Sequence, residues 1–308
     1  MKSVTCWKTM NDGTDIFVKK WTDESKHPKA IVQLAHGMAE HIERYDAFAQ
    51  FLVNNNIFVF GNDHRGHGKT GEKSGIFGYF ADENGFERVV DDLYEITQMI
   101  QTEYPNLPLF LMGHSMGSFL VRRYIQKYSN IDGVILSGAG GNPGFAGKIG
   151  KYIAKRQMKK LGRKTPSLTL NKLIFGTYNK GFESKTGFEW LTRDEKEVKK
   201  YMEDPYCGFV CTSGFFYDLL DGLEVIHRDS EIQHIRKDLP MFIFSGDQDP
   251  VGAKTKGIQK MIRQYKENGL TNIDYIFYPN GRHEMLNERN REEVYTDVLH
   301  WIQKQIKE

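Results

Sequence analysis

Short apolar runs alternate along this chain with segments whose apolar residues recur every three or four positions. The runs predict buried strands at 30–35, 57–60, 109–112, 133–137, 239–245 and 273–278. Helical spacing covers 43–54 and 83–103, and helices are also predicted near 253–268 and 291–306. Strands that alternate with helices in this way indicate an α/β fold, with a mostly parallel central sheet and helices on both faces.

Two segments depart from this rhythm. Residues 3–10 and 14–21 flank Asn11-Asp12-Gly13 and predict a β-hairpin. From Gly140 to about residue 235 the chain is rich in glycine and helical, with no strong strand. We therefore predict a core of residues 1–139 and 236–308 and an inserted helical cap at 140–235. An insertion at the carboxyl edge of the sheet is placed to act as a lid.

Composition narrows the class of protein. Hydrophobic residues make up 39% and charged residues 27% of the 308 positions, which is ordinary for a soluble globular protein. The net charge of +2 argues against nucleic-acid binding. No run reaches the roughly 18 apolar residues of a membrane span, and residues 1–8 lack a signal-peptide core. Cys6, Cys207 and Cys211 are predicted to be reduced packing cysteines, so a cytoplasmic location is expected.

The most informative motif is Gly113-His114-Ser115-Met116-Gly117, which follows an apolar run and precedes a helical pattern. A G-x-S-x-G between strand and helix is typical of a nucleophile elbow, in which the serine is strained and exposed. Gly113 and Gly117 leave room for the tight turn. Ser115 is therefore the predicted nucleophile, and the alternative is an ordinary glycine-rich turn.

A serine hydroxyl needs a base to take its proton and an acid to orient that base. Loops after the last two predicted strands offer His283 as the base and Asp247 or Asp249 as the acid. We favour Asp249, because Asp247 directly after a glycine is typical of a turn residue. Glu284 is a weaker alternative, since adjacent side chains point apart.

An oxyanion formed on ester attack needs donors that are already in place. One is the backbone N–H of Met116, and the other is predicted to be that of Met38, in the loop after the first buried strand. Gly37 allows that backbone to turn inward. The alternative is a plain strand-to-helix turn.

Histidines also raise the possibility of a metal site, because Asp63, His64 and His67 could be drawn as ligands. No known metal-binding spacing is present, and such a site would leave Asp249 and His283 without a role. We predict neither a metal nor an organic cofactor.

Taken together, the motifs resemble the monoacylglycerol lipase and lysophospholipase branch of the α/β-hydrolases. The resemblance rests on His36-Gly-Met-Ala-Glu40-His41, Arg44-Tyr45, Asp63-His-Arg-Gly-His-Gly68, the elbow, Asp249 and His283-Glu-Met-Leu286. It implies hydrolysis of single-chain lipid esters under a helical cap, without metal or organic cofactor.

The resemblance also implies roles for single residues. Met38 and Met116 match the oxyanion-hole positions, and Glu40 and Arg44 fall where the family places polar groups near the glycerol end of its substrate. Glu40 and Arg44 could equally form a structural ion pair. Animal monoacylglycerol lipases have a second histidine three positions after the catalytic one, whereas this chain has Leu286. The head group of the substrate therefore stays open.

The cap contains two distinctive stretches. Residues 148–164 contain eight basic and no acidic residues, interleaved with apolar ones. This pattern predicts either a lid helix on an anionic membrane surface or a solvated cap helix with its apolar side over the site. The aromatic-rich stretch at 209–220 could line an acyl channel or simply pack the cap onto the core.

The sequence therefore predicts a serine ester hydrolase that acts on monoacylglycerol or lysophospholipid-like acyl esters. An aminopeptidase or amidase with the same triad is the first alternative, and its acidic pocket could come from Glu40, Asp218 and Asp221. A non-catalytic binding protein on this fold is the second alternative. It is less favoured because all three triad residue types are present.

Overall fold

A computed structural model describes residues 2–183 and 185–306, so that Met1, Ser184, Lys307 and Glu308 lie outside the described residues. Its centre is an eight-stranded sheet with the order β1-β2-β4-β3-β5-β6-β7-β8. The first hairpin pairs antiparallel to the rest, and all pairings from β4 to β8 are parallel. The strands are β1 (Lys2–Thr9), β2 (Asp15–Thr22), β3 (Ala30–Ala35), β4 (Ile57–Asn62), β5 (Leu109–His114), β6 (Gly133–Ser137), β7 (Met241–Gly246) and β8 (Ile273–Tyr278).

Helices cover both faces of this sheet. They are α1 (Asp46–Asn54), α2 (Gly68–Ser74), α3 (Gly85–Glu103), α4 (Met116–Lys127), α5 (Gly144–Leu161), α6 (Leu168–Phe175), α7 (Glu195–Glu203), α8 (Ser213–Ile226), α9 (Asp229–Ile232), α10 (Lys256–Glu267) and α11 (Arg291–Gln305). Short 3₁₀ turns occupy Ile42–Tyr45 and Met285–Asn287. None of the helices in the described residues has the length and apolar character that a membrane crossing requires.

The central strands are apolar throughout because they are buried on both faces. Every residue of β3, β4, β5 and β7 is buried, which explains why these strands read as continuous apolar runs. One hydrophobic cluster packs against each face of the sheet. The predicted α/β architecture, with a mostly parallel central sheet and helices on both faces, is therefore confirmed.

The strand order places the functional loops at one edge. After β3 the chain moves to β4 on one side and then crosses to β5 on the other, so that β3 and β5 flank a topological switch point. Crevices at such points are where open α/β sheets bind ligands. The loops after β3, β5, β7 and β8 all leave from this carboxyl edge. Helices α5 to α9 lie between β6 and β7 in the chain.

Two predicted helices differ from the structure at their starts. The helix predicted at 43–54 begins as the 3₁₀ turn Ile42–Tyr45 and becomes α-helical only at Asp46. The helix predicted near 253–268 begins at Lys256, because Ala253, Lys254 and Thr255 have left-handed backbone angles (φ 51°, 51° and 71°). A run of three such residues cannot belong to a right-handed helix.

Candidate active site

Ser115 lies at a sharp turn between β5 and α4. Its backbone angles (φ 52°, ψ −119°) are unfavourable for a residue with a side chain, and its N–H donates to Ser137 O at 2.9 Å. A Cβ atom at Gly113 would collide with the backbone of Gly117, and one at Gly117 would collide with the backbone of Ala35. The two glycines are therefore required by close approach, for the reason that the motif suggested.

His283 and Asp249 form a buried pair. The imidazole Nδ1 lies 2.9 Å from Asp249 Oδ2, and the carboxylate is fully buried. Asp249 also accepts hydrogen bonds from Ser245 Oγ at 3.1 Å and from the Val251 N–H at 2.8 Å. A carboxylate held by three donors has a fixed orientation. It therefore fixes the tautomer of the ring, with the proton on Nδ1 and a free lone pair on Nε2.

The surroundings of His283 set its charge. Burial lowers the pKa of the imidazole, but the Asp249 carboxylate, together with Glu284 and Glu40, outweighs burial, and the net effect is a raised pKa. The ring packs between Trp190 and His114, with centroid distances of 5.1 Å and 4.7 Å. The backbone N–H of His283 donates to Trp190 O at 3.3 Å. Trp190, a residue of the cap, therefore contacts this histidine through both its ring and its backbone carbonyl.

Ser115 and His283 line the same cavity. Among the described residues, no hydrogen bond joins the Ser115 hydroxyl to the imidazole, whereas Asp249 and His283 are already paired. Nucleophile–base hydrogen bonds are often long or poorly aligned without substrate and tighten when it binds.

The two alternative acids have other partners. Asp247 Oδ1 accepts the Asn280 N–H at 2.8 Å, which ties the loop after β7 to the loop after β8. Glu284 points away from its neighbour His283 and accepts two hydrogen bonds from the Arg44 guanidinium, each at 2.7 Å. Asp249 is thus the acid that meets the imidazole.

Arg44 is the centre of a buried ionic network. It also donates to Glu40 Oε2 at 2.6 Å, so that one guanidinium joins two carboxylates, and it lies 4.9 Å from the ring centroid of Tyr201. Burial alone would raise the pKa of Glu284, but Arg44 lowers it to about 2. Glu40 and Glu284 both line the cavity. The ion pair considered for Glu40 and Arg44 is therefore present, at the wall of the site.

The loop that carries Met38 is held on both sides. Before Met38, the Gly37 N–H donates to Glu40 Oε1 at 2.6 Å. After it, Ala39 O accepts from Tyr201 Oη and from the Gly208 N–H, both at 3.0 Å. Ala39 itself has φ 52°. Two cap residues thus fix the backbone of the predicted oxyanion loop.

Met116 supplies the other predicted donor. Its N–H is in the first turn of α4, where the helix offers no acceptor and the helix dipole favours negative charge. Met38 and Met116 line the cavity together with Ser115. The two residues predicted to supply the oxyanion donors therefore lie at the same cavity as the serine.

The cavity over these residues has a volume of ≈ 1160 Å³. Its polar part includes Glu40 and Glu284, and much of its remaining wall is apolar, with Leu170, Phe175, Phe188, Phe209, Leu219 and Leu220. The aromatic-rich stretch of the cap lies partly at the cavity and partly in the core. Phe209 lines the cavity, whereas Phe215 and Phe216 are fully buried in the core.

The acidic groups proposed for an amine pocket are already paired. Asp218 accepts from Arg163 at 2.6 Å, and Asp221 pairs with Lys151 at 2.5 Å. Neither lines the cavity, and Glu40 is held by Arg44. This arrangement gives a substrate ammonium group no unpaired carboxylate among these three residues.

The buried histidines near β3 and β4 serve the backbone. His36 Nε2 accepts the His64 N–H at 2.9 Å, and His67 Nδ1 lies 2.9 Å from Arg65 O. Burial lowers the pKa of His64 to about 3 and that of His67 to about 4. Asp63 accepts two backbone N–H groups at 2.9 Å and 2.7 Å. These hydrogen bonds give the Asp63–His67 motif a structural role.

The structure also groups His41, Asp204 and Cys207, whose potential ligand atoms lie within 4.8 Å of one another. Sequence reasoning missed this group, because two of its members belong to the cap. His41 and Asp204 hydrogen-bond to each other at 2.8 Å. Burial raises the pKa of the Cys207 thiol, which disfavours the thiolate that metals bind.

Sequence reasoning also missed three residues that shape the site. Trp190 and Tyr201 come from cap segments without a motif, and nothing in their spacing assigns them to His283 or to Ala39. His114 stands inside the G-x-S-x-G motif, so its position next to Ser115 was a signal for a role at the site.

Comparison with known proteins adds to this geometry. The protein-family model described as Hydrolase_4, serine aminopeptidase S33, matches residues 26–290. Monoglyceride lipase of Mus musculus is 28% identical, over 94% of this chain and 86% of its own length. A putative monoglyceride lipase of Schizosaccharomyces pombe is 30% identical, over 94% of this chain and 71% of its own. The crystal structure of a thermostable carboxyl esterase from Bacillus coagulans in complex with glycerol superimposes with a TM-score of 0.92 and 27% identity, over 100% of both chains.

Proposed function

Because the chain belongs to the serine aminopeptidase S33 (Hydrolase_4) family and to the monoglyceride lipase branch of the α/β-hydrolases, we propose that it hydrolyses monoacylglycerols, the glycerol monoesters of fatty acids. It is a carboxylesterase-type hydrolase. The observation that carries the proposal is the buried 2.9 Å pair of His283 and Asp249, which opens onto the same cavity as Ser115.

The first half of the reaction acylates Ser115. His283 Nε2 takes the hydroxyl proton as Ser115 Oγ attacks the ester carbonyl carbon, and Asp249 stabilises the imidazolium that forms. The backbone N–H groups of Met38 and Met116 bind the negative oxygen. When the ester C–O bond breaks, His283 returns the proton to the leaving glycerol oxygen. The fatty acyl group is then bonded to Ser115.

The second half releases the fatty acid. Water enters where glycerol left, His283 takes one of its protons, and the resulting hydroxide attacks the acyl carbon. The bond to Ser115 breaks, and the proton returns to its oxygen. No group beyond these side chains and water is needed for the atoms to balance.

The cavity supports glycerol monoesters in particular. Glu40 and Glu284 provide acceptors for hydroxyl groups on its wall, and the apolar part is suited to an acyl chain. The similar esterase from Bacillus coagulans is described in complex with glycerol. We therefore assign the glycerol moiety to the Glu40–Arg44–Glu284 end.

The test is a substrate panel of p-nitrophenyl esters, monoacylglycerols, lysophospholipids and an aminoacyl anilide. We expect monoacylglycerols to give the highest kcat/KM and Ser115→Ala to abolish turnover. Ser74→Ala, at an exposed serine at the end of α2, is the matched control and keeps full activity. Preference for the anilide would establish an aminopeptidase instead. Preference for lysophospholipids would show that the substrate is a lysophospholipid and not a monoacylglycerol.

We also propose that α5 contacts anionic membrane surface. Large apolar side chains on and after this helix are exposed, among them Phe145 (78%), Tyr152 (61%) and Leu168 (73%). Lys148, Lys155, Arg156, Lys159 and Lys160 are exposed beside them. Exposed apolar and cationic groups on one segment match an anionic lipid surface, to which each nearby cation adds about 1 kcal/mol.

Lys151 and Arg163 are not part of this surface. Lys151 pairs with Asp221 and Glu224, and Arg163 pairs with Asp218, so both hold α5 and its following turn onto α8. The test is vesicle binding with and without anionic lipid. Replacing Lys155, Lys159 and Lys160 by Gln should weaken binding to anionic vesicles only, whereas Lys2, Lys8 and Lys29 replaced by Gln serve as the control. Binding that ignores anionic lipid content would contradict the proposal.

A further inference from the structure

A short segment of the cap is tied to the loop that carries the proposed general base. The backbone N–H groups of His283 and Glu284 donate to Trp190 O at 3.3 Å and to Leu191 O at 2.7 Å. Two consecutive residues of the loop are thus bonded to two consecutive residues of the cap. The position of Trp190 relative to His283 is therefore set by the backbone as well as by side-chain packing.

The indole ring of Trp190 is buried among other rings. It is 8% exposed, and its centroid lies 5.9 Å from that of Phe175 and 5.1 Å from that of Tyr178. Burial raises the pKa of the Tyr178 hydroxyl to about 12, so that ring carries no charge. The imidazole of His283 lies 5.1 Å from the indole, with 36° between the two ring planes. This small tilt excludes a perpendicular, edge-on contact.

Several ionisable groups of the core face the same imidazole. Asp249 accepts from its Nδ1, and the carboxylates of Glu284 and Glu40 also favour the charged form of the ring. The His114 ring lies 4.7 Å away, and burial lowers the pKa of His114 to about 4, so it is neutral at pH 7. To these groups the cap adds the uncharged aromatic ring of Trp190.

The proposed reaction makes His283 positive in each of its two halves. Burial disfavours that charge. Asp249 stabilises it at Nδ1, in the plane of the imidazole, and the Nε2 proton is used for the reaction. Neither contact reaches the faces of the ring. A cation within roughly 6 Å of an aromatic centroid is attracted by the negative face of that aromatic ring, most strongly by tryptophan.

We propose that Trp190 is a positioning residue for the general base: its indole holds His283 in the productive orientation and stabilises the imidazolium while the proton is in transit. The cap thereby takes part in the chemical step and does not only cover the cavity. The inference rests on the proposed ester hydrolysis and adds one residue to its machinery.

The first test measures kcat and KM on a short soluble ester. Trp190→Leu should lower kcat about tenfold with little change in KM, because the ring acts on the base and not on this substrate. Trp190→Phe keeps an aromatic face and should retain most of the turnover. Trp7→Leu, the same change at an exposed tryptophan of β1 outside the cavity lining, is the matched control and keeps full activity. An unchanged kcat in Trp190→Leu would overturn the proposal.

The second test measures the charge equilibrium of His283, which a merely structural role of Trp190 would not shift in this direction. The imidazole is titrated by NMR in the Ser115→Ala background, and its resonance is identified by its loss in His283→Gln. Trp190→Leu should lower the pKa of His283 by about 1, and Trp190→Phe should lower it by less. In the active enzymes, the acidic limb of the pH profile should move to lower pH by the same amount. An unchanged or raised pKa in folded Trp190→Leu would overturn the proposal.

A third measurement applies if Trp190→Leu does not fold. Fluorinated tryptophan keeps the shape of the indole and weakens the negative face that attracts a cation. The pKa of His283 should therefore fall stepwise as the number of fluorine atoms on the indole increases. A pKa that is the same for every fluorinated form would overturn the proposal.

The titration also separates this inference from the proposed function, because it uses no substrate. A pKa of His283 that falls in Trp190→Leu supports the contact even if monoacylglycerols are not hydrolysed. Hydrolysis of monoacylglycerols with the same kcat and the same pKa of His283 in Trp190→Leu would overturn this inference alone and leave the proposed function standing.

Discussion

Two helices that begin at the same edge of the sheet are built in opposite ways. Helix α4 follows β5 and buries ten of its 12 residues. Helix α5 comes soon after β6, and only Gly150 and Ala154 of its 18 residues are buried. The first helix supports a strained serine, which needs surroundings that cannot relax. The second covers the cavity and keeps most of its side chains in solvent.

The contrast suggests that the core positions the reacting groups, whereas the cap covers the cavity and admits the substrate. A reacting group must be positioned to within a fraction of an ångström, and a fully packed helix supports such precision. A cover for a lipid site must instead admit a long substrate. We expect substitutions next to α4 to change kcat, and substitutions on α5 to change stability of the cap or capture of lipid.

The largest effect is expected at the start of α4. Ser115→Ala should lower kcat on a soluble ester by about a millionfold, because the nucleophile is lost. Ser115→Gly should be equally inactive but more stable than Ser115→Ala by about 1–3 kcal/mol, since glycine relieves the backbone strain at φ 52°. Thermal unfolding of the two variants measures the difference. Equal stability would show that the elbow is not strained.

The second effect concerns the orientation and charge of His283. Asp249→Asn should lower kcat by about 10⁴-fold, because the amide no longer holds the productive tautomer. Asp249 raises the pKa of His283, and activity is lost as pH falls through that pKa. The variant should therefore lose its remaining activity only at lower pH than the unmodified enzyme. The pH profile of kcat/KM measures this shift. If activity is lost at the same acidic pH in both enzymes, a titrating group other than His283 causes the loss.

The third effect concerns the loop that carries Met38. Glu40→Ala removes the acceptor of the Gly37 N–H and should lower kcat about a hundredfold, the cost of one misplaced oxyanion donor. Glu40→Gln keeps an oxygen at that position and should retain most of the turnover. Kinetics on a soluble ester compare the two. If both variants turn over at the unmodified rate, the loop is positioned by the cap alone.

The smallest effect is expected on α5. A Cβ atom at Gly150 would lie 3.0 Å from Leu220 Cδ1, so Gly150→Val forces the helix away from α8. It should destabilise the cap by about 1–3 kcal/mol, with little change in kcat on a short soluble ester. Lys155→Val, at an exposed position of the same helix, is the control. Limited proteolysis of the cap and the thermal midpoint report the difference.

The strands could be predicted closely because burial on both faces leaves a continuous apolar run. Strands β3 and β8 match the predicted segments, and β7 begins two residues later than predicted. Helix starts were less accurate, as the left-handed residues before α10 show. The loop that presents Asp249 imposes their conformation, and the spacing of hydrophobic residues along the sequence does not indicate it.

The residues of the site were also predicted with unequal success. Sequence motifs pointed to Ser115, His283 and Asp249 because strand ends of a parallel sheet meet at one edge. They did not indicate that Glu284 pairs with Arg44, because a neighbouring carboxylate was considered only as a partner for the histidine. The roles of Trp190 and Tyr201 could not be predicted from the sequence either, since the cap contacts the site through tertiary packing and not through a local sequence pattern.

Tyr201 and Gly208 both donate hydrogen bonds to the carbonyl of Ala39, so the insertion that covers the cavity also holds the loop of the proposed oxyanion hole. A truncated enzyme without the insertion would therefore not gain speed from its open cleft. It would admit larger esters but turn each of them over slowly, because the peptide group that receives the developing charge would no longer be held still. Any attempt to widen specificity by trimming this enzyme would have to leave those two anchors in place.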